Sequence, residues 1–186
     1  ADSSGPSNEK FGSTITPPGN ALSFDGQDDF VNLGTDPSHQ LTTAFTFETW
    51  VKATGGTIQS LTPLAGGNSG YTMQAEAPGV IRLSMTVNSG NINNVGSATV
   101  FDDNWHHVAL TNDNGLIRLY VDGILDMNIN QPGLVIYTPG AIHLLGINGI
   151  DGNSSLQGEM DEVRLWDHAR NELEIRSTLG VPLVGN

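Results

Sequence analysis

Acidic and amide side chains crowd two short stretches, and their chemistry is that of a hard-cation ligand set. Asp25, Gln27, Asp28 and Asp29 fall within five residues, and Gly26 among them lets a backbone carbonyl come close. Calcium takes roughly six to eight oxygens from carboxylates, carbonyls and water. The second stretch is Gly158-Glu159-Met160-Asp161-Glu162-Val163. Met160 and Val163 belong in a core, and a carboxylate drawn in beside them needs a partner. A cation joining the first and last strands would supply one. The competing reading gives Asp25 to a turn, and Asp161 to Arg164 or to backbone N–H groups.

Other chemistry is thinner. His106 and His107 follow Trp105 in a strand-like run, so their rings point to opposite faces and one ion cannot readily take both. Packing and hydrogen bonding are their expected work. His39, His143 and His168 are scattered. Without cysteine there is neither a disulfide nor a thiolate site. No Gly-x-Ser-x-Gly elbow and no phosphate loop is present. Sugar recognition wants an exposed flat ring beside polar loops. Tyr71 and Tyr137 flank such loops and are the stacking candidates. Asn91, Asn93, Asn148, Asp151 and Asn153 offer hydrogen bonds, although turn formation competes for them. Trp50, Trp105 and Trp166 lie in apolar runs and are expected in the core.

The elements that position these residues are short strands. The chain has 186 residues, 23 Gly, 9 Pro and only 15% charged side chains, which suits tight turns between strands rather than a helical bundle. Twenty acids against seven bases leave a net charge of −13, which repels nucleic acid and anionic lipid. No apolar run has membrane-spanning length, so neither nucleic acid nor membrane insertion is expected. The composition fits a secreted or cell-surface bacterial protein. Residues 1–20, rich in Gly, Ser and Pro, read as an extended segment. The domain proper covers 21–180, and 181–186 read as a tail or linker toward a neighbouring domain.

Strand-like runs occupy 21–24, 30–33, 41–52, 58–65, 71–75, 80–87, 93–100, 105–111, 116–121, 124–127, 141–146 and 160–166. In the third, Phe45, Phe47, Thr49 and Val51 alternate with Thr46, Glu48 and Trp50, the period of a strand. Asp122-Gly123 marks a tight type I′ hairpin. Asn171 and Glu174 form a capping box for one short helix closing near Gly180. The pattern predicts an all-β, two-sheet antiparallel sandwich.

Five motifs then carry a family resemblance. Ala21-Leu22-Ser23-Phe24-Asp25-Gly26 with Asp29-Phe30-Val31, Phe45-Thr46-Phe47-Glu48-Thr49-Trp50-Val51-Lys52, Asn104-Trp105-His106-His107-Val108-Ala109, Leu119-Tyr120-Val121-Asp122-Gly123, and Gly158-Glu159-Met160-Asp161-Glu162-Val163-Arg164-Leu165-Trp166 occur in order. Together they resemble the laminin-G-like, concanavalin A-like jelly-roll domains. The resemblance implies a jelly-roll sandwich and a structural calcium held by Asp25 and Asp161, with Gln27 and Asp28 contributing. It also implies a non-catalytic module binding carbohydrate or a cell-surface glycoconjugate within a larger secreted enzyme or adhesin. A structural spacer domain of a bacterial adhesin is the alternative, with a divergent glycan hydrolase or lyase behind it. Glu159-x-Asp161 resembles the Glu-x-Asp-x-x-Glu run of related glucanases, whose paired carboxylates do the chemistry. The further acid is due at 163 or 164, where Val163 and Arg164 stand, so a hydrolase is not expected. One departure is expected: with Ala1-Asp2-Ser3-Ser4-Gly5 at its start, the chain reads as a module without the apolar strand that often opens such domains, cut from a longer protein.

Overall fold

The computed structural model describes residues 16–17, 19–54, 64–65, 69–140, 142–146 and 155–181. Its strands are β1 (Leu22–Asp25), β2 (Val31–Gly34), β3 (Ala44–Ala53), β4 (Leu64–Ala65), β5 (Ser69–Glu76), β6 (Val80–Val87), β7 (Gly90–Val95), β8 (His106–Asp113), β9 (Leu116–Val121), β10 (Ile124–Asn130), β11 (His143–Leu145) and β12 (Gln157–Trp166), followed by helix α1 (Glu172–Ser177). One layer is a six-stranded antiparallel sheet in the order β1-β12-β3-β8-β9-β10. The facing layer holds the sheet β4-β5-β6-β7 and the pair β11-β2. The all-β jelly-roll expectation stands, and the chain's first and last strands pair as neighbours.

Alternation builds the core. Phe45, Phe47 and Val51 of β3 meet Tyr71, Met73, Ile81, Leu83 and Met85 of the facing layer. Gly158, at a positive φ, lets β12 press against β3, since a Cβ there would collide with the Lys52 carbonyl. Asp122 and Gly123 take φ of 52° and 73°, as a type I′ turn requires.

Part of the outer face of the six-stranded sheet is also covered. Ile175 of α1 packs on Ala109 and Tyr120. The capping box forms as expected, with Asn171 Oδ1 accepting from Glu174 N–H and Glu174 Oε2 from Asn171 N–H. Beneath lies Glu48, wholly buried. Its carboxylate accepts from Arg170 Nη1 at 2.7 and 2.8 Å, Trp166 Nε1 at 3.0 Å and Arg164 Nη1 at 3.4 Å. Arg164 also donates to the Val181 carbonyl, and Arg170 to that of Glu174, so the network ties the C-terminal segment to the sheet.

Candidate functional site

The outer face of β5–β7 is the opposite case. Tyr71, Met73 and Ala75 point into the core, which turns Thr72, Gln74 and Glu76 toward the outer face, where Thr72 is buried and Gln74 and Glu76 are half-buried. Register sets Thr72 beside Ser84 and Asn93, Gln74 beside Arg82 and Val95, and Thr86 beside Asn91. The result is a sheet face of hydroxyls, amides and one cation. Arg82 Nε donates to Glu76 Oε2 at 2.7 Å and Nη1 donates to Asn93 Oδ1 at 2.8 Å. Its other N–H groups have no protein partner among the described residues. The shared hydrogen bond lowers the Glu76 pKa and raises that of Arg82, so both stay charged. Such a face can meet sugar hydroxyls or a carboxylate with several oriented donors and acceptors at once.

Asn91 and Asn93 were legible as candidates from their type. Arg82 was not singled out, although the alternation Arg82, Ser84, Thr86 against Ile81, Leu83, Met85 was signal enough to place it outside. Tyr71 is a correction. Its ring is 3% exposed, stacks on Phe45 at 4.7 Å and approaches Phe47, so it is core and cannot offer a stacking platform. Burial pushes its pKa well up. Tyr137 is half-buried: its ring lies over Gly70 and 5.9 Å from His143, and its hydroxyl donates to the Leu41 carbonyl. Burial raises its pKa as well. Asn148 and Asp151 lie outside the described residues.

The acidic stretches also part company. Asp25 pairs with Gln157 and Leu22 with Met160, so four residues of β12, about 13 Å of strand, separate Asp25 from Asp161. The two do not share an ion. Asp25, Asp28 and Asp29 do converge, each offering an oxygen within 4.8 Å of the others. The loop supports itself too: Asp25 Oδ1 accepts from Gln27 N–H at 2.8 Å and Asp29 Oδ2 from Asp25 N–H at 3.0 Å. The Gln27 carbonyl accepts from the Ser155 hydroxyl. Asp161 Oδ1 accepts from Glu162 N–H at 2.7 Å, the backbone partner that the competing reading foresaw. A bulge with Glu162 at φ 49° follows, and Arg164, where a further acid was sought, belongs to the Glu48 network.

His106 and His107 face apart as expected. His106 sits between Asp122 Oδ2 at 2.8 Å and Asp102 Oδ1 at 3.2 Å, and the Asp122 hydrogen bond raises its pKa. His107 is buried against Glu48 and Trp50. Burial outweighs the Glu48 charge and pushes its pKa down to about 4.

The model of the concanavalin A-like lectin/glucanases superfamily matches residues 25–176. The chain belongs to this superfamily. No curated protein matches its sequence. Among solved structures, this superfamily member resembles domain 4 of AbnA, a GH43 extracellular arabinanase from Geobacillus stearothermophilus, solved with arabinotriose (TM-score 0.69, 19% identity, 89% of this chain and 79% of that one). It also resembles the CBM40 of Ruminococcus gnavus IT-sialidase bound to α2,3-sialyllactose (0.72, 16%, 88% and 97%). A third likeness is the binding domain of Paraclostridial Mosquitocidal Protein 1 (0.70, 15%, 89% and 44%). At these identities the likeness establishes the concanavalin A-like fold.

Proposed function

We propose that this domain is a non-catalytic carbohydrate-binding module of a larger secreted or cell-surface protein, and that the outer face of β5–β7 is its sugar surface. The observation that carries this reading is Arg82, braced by Glu76 and Asn93 among the outward hydroxyl and amide groups of three strands. Two of the similar folds are carbohydrate-bound domains of glycan-processing enzymes, which supports the class of ligand without naming it. The test is retention of the domain on a panel of immobilised polysaccharides and glycans. Saturable retention that Arg82→Ala and Asn93→Ala each weaken at least about tenfold supports the reading. Retention indifferent to both substitutions moves the site elsewhere, and none on any glycan leaves the spacer role.

A structural calcium belongs to the same proposal, now on Asp25, Asp28 and Asp29 without Asp161. Three converging carboxylates fit a hard cation, with water completing the shell. Calcium there would neutralise the mutual repulsion of the loop's acids and tie it down beside Ser155. Chelator is expected to lower the melting temperature of the wild-type chain and to leave an Asp28→Asn/Asp29→Asn variant unmoved. Identical melts with calcium and with chelator would remove the ion from this reading.

A further inference from the structure

A groove of about 380 Å³ opens on the outer face of the six-stranded sheet, at its β1–β12 edge. Pro17, Gly19, Asn20, Ala21, Ser23, Trp105, Glu159 and Asp161 line it. Met160 is wholly buried in the core, so its neighbours Glu159 and Asp161 share the opposite face of β12, with Cα atoms roughly 6.6 Å apart. Ser23 stands beside Glu159 across the β1–β12 ladder. The lining contains two carboxylates and no Lys, Arg or His. Lys52, the register partner of Glu159 on β3, lies outside it and forms no ion pair among the described residues.

Asp161 adds a second observation. Its Oδ1 is satisfied by Glu162 N–H, but its Oδ2 is buried and has no hydrogen-bond partner. A buried acceptor left unpaired is costly, and two like charges on one strand face add to that cost. A ligand that brings positive charge into the groove eases both through the field it sets up at the two carboxylates. The indole of Trp105 narrows the class, because an aromatic face attracts an organic ammonium that a hydrated metal ion matches poorly. Size points the same way. One water occupies about 30 Å³ of liquid, so the groove is far larger than a single ion needs.

We propose that this groove binds a small organic cation, a protonated or quaternary amine on a compact hydroxylated frame. Trp105 takes its apolar, positively charged side, Glu159 and Asp161 balance its charge, and Asn20 and Ser23 meet its hydroxyls. The site lies on the opposite sheet from Arg82 and does not depend on the sugar surface.

The experiment titrates the 186-residue chain with choline, glucosamine, glucose, glucuronate and calcium chloride, read by the indole N–H signal of Trp105 in a two-dimensional NMR spectrum. Choline and glucosamine are expected to shift that signal saturably at millimolar concentration, while glucose and glucuronate leave it still. Glu159→Gln should weaken both amines about tenfold or more, and added salt should weaken them too. Asp161→Asn is expected to do the same. Should that variant fail to fold, Glu159→Gln at its half-buried position decides alone, with a melt confirming its fold. Lys52→Ala should leave amine binding intact or tighten it. No saturable shift from either amine overturns the proposal, as does an equal response to glucose. A shift from calcium with none from the amines also overturns it and gives the groove to an inorganic ion.

Discussion

Each outer face of the sandwich carries Arg–Glu contacts, and the two sets do opposite things. On the six-stranded sheet Glu48 is wholly buried, gripped by Arg170 and Arg164, with the Arg170 guanidinium 4.6 Å over the Trp166 ring. On the four-stranded sheet Glu76 and Arg82 meet at 2.7 Å, with about a third of each side chain exposed (32% and 31%). The bond chemistry is the same and the surroundings differ. In the buried case the Glu48 carboxylate is held entirely by protein donors, and removing one partner strands a charge where water cannot reach it. In the exposed case water screens the pair, which therefore adds little to stability and leaves the guanidinium able to exchange water for a ligand. A charged pair on this fold becomes a buried clasp or stays open to solvent according to whether α1 and the C-terminal segment cover it.

The sharpest test of this contrast is Glu48→Ala. It leaves Arg170 and Arg164 buried without their acid and should cost about 3–5 kcal/mol. For a chain of this size that lowers the melting temperature on the order of 10 °C. A loss of only a degree or two would show that the covered face is no clasp.

Next in size is acid. His107 is held neutral, with a pKa of about 4 in the folded state against an ordinary 6.5. Its contribution is full above pH 6.5 and is lost as pH falls toward and through 4, with a limit of about 3 kcal/mol. His106 has the opposite sign. Its pKa is raised, so its contribution is full below its ordinary value and is lost as pH rises through the folded value. Melts from pH 4 to 8 should therefore show an acid limb that His107→Gln flattens, and a smaller alkaline limb that His106→Gln flattens. An acid limb unchanged in His107→Gln would assign the loss to carboxylates instead.

The smallest stability effect belongs to Arg82→Ala, under about 1 kcal/mol, although the same substitution should weaken glycan retention at least about tenfold. A melting loss comparable with that of Glu48→Ala would erase the distinction between the two faces.

Much of the fold was open to sequence reasoning because alternation is strong where one face of a strand is core. The runs 80–87 and 116–121 coincide with β6 and β9. Edge elements were less legible. β7 begins at Gly90, before the run at 93–100, because polar Asn91 and Asn93 extend an edge that needs no apolar face. β10 runs on to Asn130 past a register shift at Leu125–Met127 that breaks the period of two. Tyr71 misled because its neighbours in sequence are loop residues, while its neighbour in space is Phe45.

The candidate sites divide in the same way. Sequence by itself determined that Asp25, Asp28 and Asp29 would converge, since a turn needs no distant element. It also determined that His106 and His107 would face apart and that Asn171 would cap a helix, because both follow from local periodicity and local hydrogen bonds. Tertiary structure decided everything that depends on register. The pairing of Asp25 with Gln157 parted Asp25 from Asp161, and three adjacent strands brought Glu76, Arg82 and Asn93 together. The cover of α1 and the C-terminal segment turned Glu48 from a strand's outward acid into a buried clasp. The physical reason is common to all three. Side-chain direction is a property of one strand, whereas partners and burial belong to what the sheet lays beside it.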